Sequence, residues 1–480
     1  MSSSTHTVVI VGGGFCGTVL AINLLRKSRG EAVRVVLVDR AQMARGVAYA
    51  RRAFPYLLNV PAGRMSARAA EPLEFLHFAQ RQLPHASADD FLPRELYGAY
   101  LESSLASAEQ SAPAHVQLVR IDGAAIAIDR AHRSAGLQVH LADGRQLNAD
   151  ALVLATGNPP PASLPAAEPL RGSSRYVADP WAAPPVIRAG ETVLIIGTGL
   201  TMADLVLAGH ATTNGNFTVH ALSRRGLIPP AQSQFASVHD HRDGAALLRA
   251  ASISAANLFR SVRTLCDELE ARGGDWREGI AFVRTLAPSL WQRLTLRERR
   301  RFLRHVRPYW DIHRHRLPES SCVALDTMRR AGALQIHAGR LLALERAGKK
   351  LRATWQARST GRPVTLLVDR VVNCSGPDYD ARRTRERLLR SLLAQGMAST
   401  DPLGLGLATD EYGALVGSGG RPTGNLYYLG PMLRPACWET TAVPELSEHA
   451  AQLAEHLCSR RAPWHARTPS TAQSVATYRL

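Results

Sequence analysis

The 480-residue chain has no pair of closely spaced cysteines. Cys16, Cys266, Cys322, Cys374, Cys437 and Cys458 are scattered, which argues against a redox dithiol, a zinc knuckle or a disulfide framework. No apolar run reaches the roughly 18 residues of a membrane span. Residues 7–24 come nearest to a secretory leader, but glycines interrupt them and Arg26 and Lys27 follow the apolar run instead of preceding it. They are better read as a strand, turn and helix, and the expected location is cytoplasmic. No Gly-x-Ser-x-Gly elbow marks a serine nucleophile. The His-x-His spacing of His313 and His315 lacks a third ligand in metal-binding register, so no metal is expected.

The charge is far from balanced. A net charge of +18 comes largely from arginine and is densest over residues 293–316. There Arg297, Arg299, Arg300, Arg301, Arg304 and Arg307 share a predicted helix with Phe302, Leu303 and Val306. A solvated helix, an anion or phosphate site, and a nucleic-acid surface all remain open. The last is the weakest, because no helix-turn-helix, zinc or aromatic-platform pattern accompanies it.

Two glycine-rich fingerprints are present. Gly12-Gly13-Gly14-Phe15-Cys16-Gly17 follows the β-branched run Thr7-Val8-Val9-Ile10-Val11, and Gly197-Thr198-Gly199-Leu200-Thr201-Met202-Ala203 follows Thr192-Val193-Leu194-Ile195-Ile196. Each stands after a predicted strand and opens a predicted helix. In that context glycines permit a tight turn and close backbone approach to a pyrophosphate, while the helix N-terminus supplies free N–H groups. Two such sites imply two dinucleotides.

The next strands differ at their ends. Val33-Arg34-Val35-Val36-Leu37-Val38 ends in Asp39, where a carboxylate suits an unphosphorylated ribose, as in FAD; a solvent-facing acid is the other reading. Phe217-Thr218-Val219-His220-Ala221-Leu222 ends in Ser223-Arg224-Arg225-Gly226, where guanidinium groups suit a 2′-phosphate, as in NADPH; a basic loop on a basic protein is the other. Ala151 to Gly157, containing Thr156, and Val371 to Gly376 are apolar runs closing in glycine, expected to return the chain beside the two nucleotide sites.

The expected fold is α/β, with two Rossmann-like dinucleotide-binding domains, one for FAD and one for NAD(P), and a helical insertion. Residues 1–185 would form the first part of the FAD unit, with a Pro-rich linker at 159–185. Residues 186–375 would form the NADP unit, carrying a helical insertion at about 235–320, and residues 376–462 would complete the FAD unit. A disordered tail is expected at 463–480.

Several stretches resemble a bacterial FAD/NAD(P)-binding protein family of the two-Rossmann flavoprotein superfamily, related to flavin-dependent N-hydroxylases and Baeyer-Villiger monooxygenases. They include Gly46-Val47-Ala48-Tyr49, Leu58-Asn59-Val60-Pro61 with Met65-Ser66, Pro93-Arg94, Asp179-Pro180-Trp181, Arg307-Pro308 with Trp310-Asp311, His313-Arg314-His315-Arg316 and Trp438-Glu439-Thr440-Thr441-Ala442-Val443-Pro444-Glu445. The resemblance implies that Asn59, Met65 and Ser66 lie near the isoalloxazine ring and that a helix beginning at residues 438–445 points its N-terminus at the flavin. Backbone N–H groups of Thr440, Thr441, Ala442 and Val443 would then face the reduced ring; a structural cap is the alternative role. Two departures stand out. Gly430 is followed by Pro431 where relatives carry a ribityl-binding aspartate, and Gly172 replaces a histidine in the turn Gly172-Ser173-Ser174-Arg175-Tyr176.

The expected function is that of an FAD-dependent, NADPH-using oxidoreductase, monooxygenase-like and acting on a small molecule. A flavin-linked dehydrogenase without oxygenation and a redox-responsive binding protein are the alternatives. Oligomerisation is left open. His313, Arg314 and His315 are the candidate catalytic cluster, with a salt-bridge cluster as the other reading.

Overall fold

The computed structural model describes residues 5–28, 32–40, 42–131, 136–182, 186–233 and 242–459. The expected tail at 463–480 and the start of the insertion at 235–241 lie outside the described residues.

Both fingerprints form as the sequence requires. The strand His6–Val11 runs into the helix Phe15–Lys27, and the strand Thr192–Ile196 into the helix Leu200–Thr213. The β-branched runs are buried because helices or further sheet cover both faces of a parallel sheet. In the first sheet the strands stand in the order Ala414–Val416, Pro422–Tyr428, Ala151–Leu154, His6–Val11, Val33–Asp39, Val116–Asp122, and all neighbours are parallel except the first pair. The helices Phe15–Lys27, Arg94–Gln110 and Val443–Ser459 share one core on one face. The antiparallel sheet of Ala125–Arg130, Leu137–Leu141 and Gln146–Ala149 covers the other.

The second sheet has the order Pro363–Val368, Lys350–Ala357, Leu334–Ala347, Thr218–Ser223, Thr192–Ile196, Arg370–Asn373, Tyr176–Val177. Its first three strands form an antiparallel meander and the rest pair in parallel. The stretch expected to be only a linker therefore contributes a strand: Tyr176–Val177 forms the sheet edge, and the short turn of helix Pro165–Leu170 packs on the sheet's second core. The described part of the insertion is helical, as the missing strand alternation required. It comprises Arg242–Ile253, Ala255–Ala271, Trp276–Arg293 and a continuous helical run over residues 296–314. Residues 302–306 of that run are wound as a π-helix. The insertion has its own core, shared with Leu405 and Trp438 from the C-terminal part of the chain.

The two units repeat one constraint. Gly12 has φ +109° and Gly197 φ +118°, a backbone region that other residues rarely adopt. A Cβ on Gly12 would lie 2.2 Å from the Ala155 carbonyl oxygen, and one on Gly197 2.2 Å from that of Cys374. The strand that returns beside each fingerprint thus closes on a position only glycine can fill. Gly199 differs, having φ −87° and open space, with nothing within 4 Å, where a Cβ would point. Gly197→Ala is therefore expected to cost on the order of 3 kcal/mol, and Gly199→Ala under about 1 kcal/mol, as read by urea denaturation of the two variants.

Candidate dinucleotide sites and the buried cluster beside them

Both fingerprint helices start without a cap. At Gly14 and at Gly199, the N-cap positions, no side chain accepts a helix N–H, and neither first turn holds an acid. Three insertion helices, in contrast, are capped by Ser254, Asp275 and Thr295. Uncapped N–H groups and an uncompensated helix dipole suit a pyrophosphate. The cradles therefore fit dinucleotides on their own geometry.

They differ in detail. In the first, a Cβ on Gly17 would sit 1.8 Å from the Gly12 carbonyl oxygen, so helix and strand pack closely. Gly14 is approached by Gly46, whose α-carbon would lie 3.6 Å from a Cβ there, which gives the Gly46 loop its place against the turn. Asp39, at the strand end, accepts a hydrogen bond from the Gly13 N–H at 2.5 Å, which sets its carboxylate at the edge of the turn. In the second, the residue equivalent to Gly17 is Met202, fully buried in the core of its sheet. Thr201 is half-buried in the first helical turn. Ser223 organises the basic loop: its hydroxyl accepts from the Gly226 N–H at 2.9 Å and meets the Thr198 hydroxyl at 2.9 Å. Arg224 is exposed. Arg225 is drawn to the insertion, with its guanidinium 5.0 Å from the Tyr309 ring centre and donating to the Tyr309 hydroxyl at 3.2 Å.

Thr156 and Gly157 end the returning strand of the first unit, Thr156 exposed and Gly157 at φ +71°. Met65 and Ser66 are buried, Asn59 half-buried, and the Ser447 hydroxyl of the C-terminal helix donates to the Ser66 carbonyl at 3.3 Å. The segment at residues 58–66 and that helix are thereby brought together. Gly430, at φ +147°, leads into the short turn Pro431–Leu433.

The last helix begins inside the expected segment 438–445, running Val443–Ser459 with the Leu446 N–H bonding the Ala442 carbonyl, but not all four N–H groups of residues 440–443 are its free donors. The N–H groups of Thr440 and Thr441 donate instead to Cys437 and Glu439 carbonyls, and the buried Thr440 hydroxyl also donates to Cys437. Pro444 has no N–H to offer. Competing local turn bonds thus occupy two of the expected donors.

The cluster of His313, Arg314 and His315 also resolves into separate parts. His313 donates from Nδ1 to the Tyr309 carbonyl at 2.8 Å and stands edge-on to Trp276. Arg314 pairs with Glu439 at 2.8 Å, both almost fully buried, and Trp310 Nε1 donates to the other carboxylate oxygen of Glu439 at 3.1 Å. Burial alone would raise the Glu439 pKa, yet the Arg314 charge and hydrogen bond, with the Arg284 charge behind them, hold it below its ordinary value. Burial first, then the Arg314 charge, pushes His315 down to about 4. His315 is therefore neutral at pH 7 and does not titrate near neutrality as its residue type suggested. Arg434 lies 4.3 Å over the Trp438 ring and 5.1 Å over Tyr379, and Arg284 pairs with Glu445. A further ion pair joins the two units: Arg94 donates to the Leu57 carbonyl at 2.9 Å and to Asp204, on the second fingerprint helix, at 2.8 Å. Sequence reasoning singles out neither Asp204 nor the Glu439 pairing.

Two mixed sheets, each with a parallel centre and a fingerprint helix, define a two-dinucleotide α/β fold. Residues 9–159 match the model of a family described as FAD-NAD(P)-binding. No curated protein matches the sequence. Among solved structures, the fold is similar to that of the ornithine N-hydroxylase of Kutzneria sp. 744, solved with reduced FAD, NADP+ and L-ornithine (TM-score 0.63, 17% identity, 96% of this chain and 100% of that one). It is also similar to the FAD-bound cadaverine monooxygenase of Erwinia amylovora (0.62, 12%, 98% and 99%) and to the L-lysine 6-monooxygenase of Pseudomonas syringae (0.60, 16%, 94% and 98%).

Glu439→Gln leaves Arg314 buried beside an uncharged partner and is expected to cost about 3–5 kcal/mol, measured by urea denaturation. A second expectation concerns pH. His315 has a folded pKa below its ordinary 6.5, so the unfolded chain takes up the proton first. Its contribution to stability is full above pH 6.5 and is lost as the pH falls toward 4. His315→Asn should flatten the stability profile in that window, as seen by comparing denaturation midpoints with the parent across it.

Proposed function

We propose that the chain is an FAD-dependent, NADPH-using oxidoreductase, a class B-like monooxygenase acting on a small molecule in the cytoplasm. The observation that carries this reading is the pair of uncapped fingerprint helices in one chain, the first beside Asp39 and the second beside Arg224 and Arg225. The hydroxylases of similar fold support the choice of monooxygenation over other flavin chemistry. A redox dithiol finds no support, since no two of the six cysteines are closely spaced in sequence and burial pushes Cys16, beside the first fingerprint, up to about 12.

In this reading residues 1–185 and 376–462 form the FAD unit and residues 186–375 the NADP unit. Gly12, Gly14 and Gly17 receive the FAD pyrophosphate and Asp39 its ribose, with Thr156, Gly157 and Gly430 along the cofactor and Asn59, Met65, Ser66, Thr440, Thr441 and Ala442 around its ring end. Gly197, Gly199 and Thr201 receive the NADPH pyrophosphate, and Arg224 and Arg225 its 2′-phosphate. When bound, NADPH supplies hydride and the flavin supplies the centre that reacts with oxygen. The protein positions the two and excludes water. Arg314 is a positioning residue in this scheme, because its charge is committed to Glu439.

The absorbance spectrum of the purified chain, reconstituted with FAD, tests the reading. Flavin bands that bleach with NADPH in preference to NADH are expected, and failure to take up FAD overturns it. Arg224→Ala should raise the KM for NADPH by about tenfold, one lost phosphate contact, and leave that for NADH nearly unchanged in stopped-flow reduction assays.

A further inference from the structure

The insertion forms an open-mouthed cavity of about 430 Å³ that is lined by none of the residues assigned to the cofactors. It lies between the helices Ala255–Ala271 and Trp276–Arg293 and the helical run over residues 296–314, with Trp438 from the C-terminal part of the chain in its wall. The volume is in the range of small-molecule sites. Its wall is apolar, including Leu258, Val262, Ile280, Val283, Leu290 and Phe302.

Four tryptophans add to that wall: Trp276, Trp291, Trp310 and Trp438. Two of their N–H groups are already spent. Trp291 donates to the Pro435 carbonyl and Trp310 to Glu439, each at 3.1 Å. Their contribution to the lumen is therefore ring carbon. The acidic and basic side chains of the wall are Arg263, Asp267 and Glu270, exposed along the second half of one helix where they form a polar mouth, and His313, half-buried with its Nδ1 bonded to the Tyr309 carbonyl.

The backbone is shaped around this space. Pro288 stands inside the helix Trp276–Arg293 and removes one of its hydrogen bonds. Phe302 and Val306, which begin and end the π-helical turn, both line the cavity, and π turns are rare features found mostly at functional sites. A plain helical core would need neither device and would close up, since unfilled apolar volume is destabilising.

The wall also touches the basic loop of the second fingerprint unit, since Tyr309 carries Arg225 on its ring, and Trp438 in the wall lies two residues before Thr440 in the segment placed at the ring end of the first unit. We propose that this cavity binds the substrate, a small molecule whose body is an uncharged alkyl chain or aromatic ring system. The substrate class rests on the oxidoreductase reading; the site itself does not. A short ω-amino acid such as ornithine, charged at both ends, would meet Arg263, Asp267 and Glu270 only at the mouth and would have to bury its other charged end among the apolar residues of the lumen.

The test uses the full chain and N-phenyl-1-naphthylamine, a neutral apolar fluorophore. Saturable binding of one dye per chain is expected, displaced by 1-dodecanol and not by L-ornithine. Val283→Trp, which fills the lumen, should weaken binding by about tenfold or more. Val262→Gln, at a half-buried wall position, covers the case in which the larger side chain prevents folding, and circular dichroism checks both variants. The assignment is overturned by the absence of saturable binding, by affinity that both variants leave unchanged, by displacement with L-ornithine alone, or by a concentration-dependent self-association that excludes the dye. Dye binding with no NADPH-dependent bleaching of flavin would instead sink the oxidoreductase reading while leaving the cavity in place.

Discussion

One buried carboxylate holds the arrangement together. Glu439 lies in the turn before the last helix, and it accepts from Trp310 and from Arg314 on the far side of the insertion. A carboxylate this deeply enclosed is tolerable only with its charge answered and its oxygens bonded. Meeting both conditions fixes the distance and rotation between a helix that belongs to the middle of the chain and a turn that belongs to its end. Arg284 with Glu445 and Trp291 with Pro435 add to the same seam. The insertion is thus fastened to residues 434–445 as well as to the unit from which it emerges.

The two dinucleotide units use one steric device with different trimmings. A positive-φ glycine sits against the carbonyl of a returning strand in both, and both fingerprint helices begin without a cap. The end of the next strand distinguishes them: an acid tied to the turn in one, and a hydroxyl-organised pair of arginines in the other. The contrast lies in local chemistry, while the backbone solution is shared.

Much of this is legible in the sequence because it is local. Apolar runs followed by glycines at fixed spacing carry the strand, the turn and the helix together, and the lack of alternation over residues 242–314 carries the helices. The meander is only partly legible: Lys350–Ala357 alternates polar and apolar residues, whereas its partners Leu334–Ala347 and Pro363–Val368 are largely exposed and alternate irregularly, so the sequence does not mark the three as a unit. Residues 159–185 read as a linker because proline density says nothing about a two-residue edge strand. The Glu439 pairing joins residues 125 and 129 apart, and no periodicity reports a contact at that range. The cavity is hidden for a related reason: apolar residues at helical spacing describe a filled core and a hollow one equally well. His315 misleads because its residue type carries an ordinary pKa, whereas its surroundings set the actual one.

The connectivity of the first sheet has a consequence for how the chain acquires its structure. Leu152 pairs with Leu426, and the helix Val443–Ser459 packs against Phe15–Lys27, so the first core is closed only by the last quarter of the sequence. The second sheet draws all its strands from residues 176–373. During synthesis the middle unit can therefore complete itself while the N-terminal strands, already made, wait with an unpaired edge. Long-range strand pairing of this kind is slow and leaves apolar edges exposed. Maturation of the protein is thereby timed by the emergence of its C-terminal segment, and a truncation before residue 422 would strand the first half of the chain in an open, association-prone state.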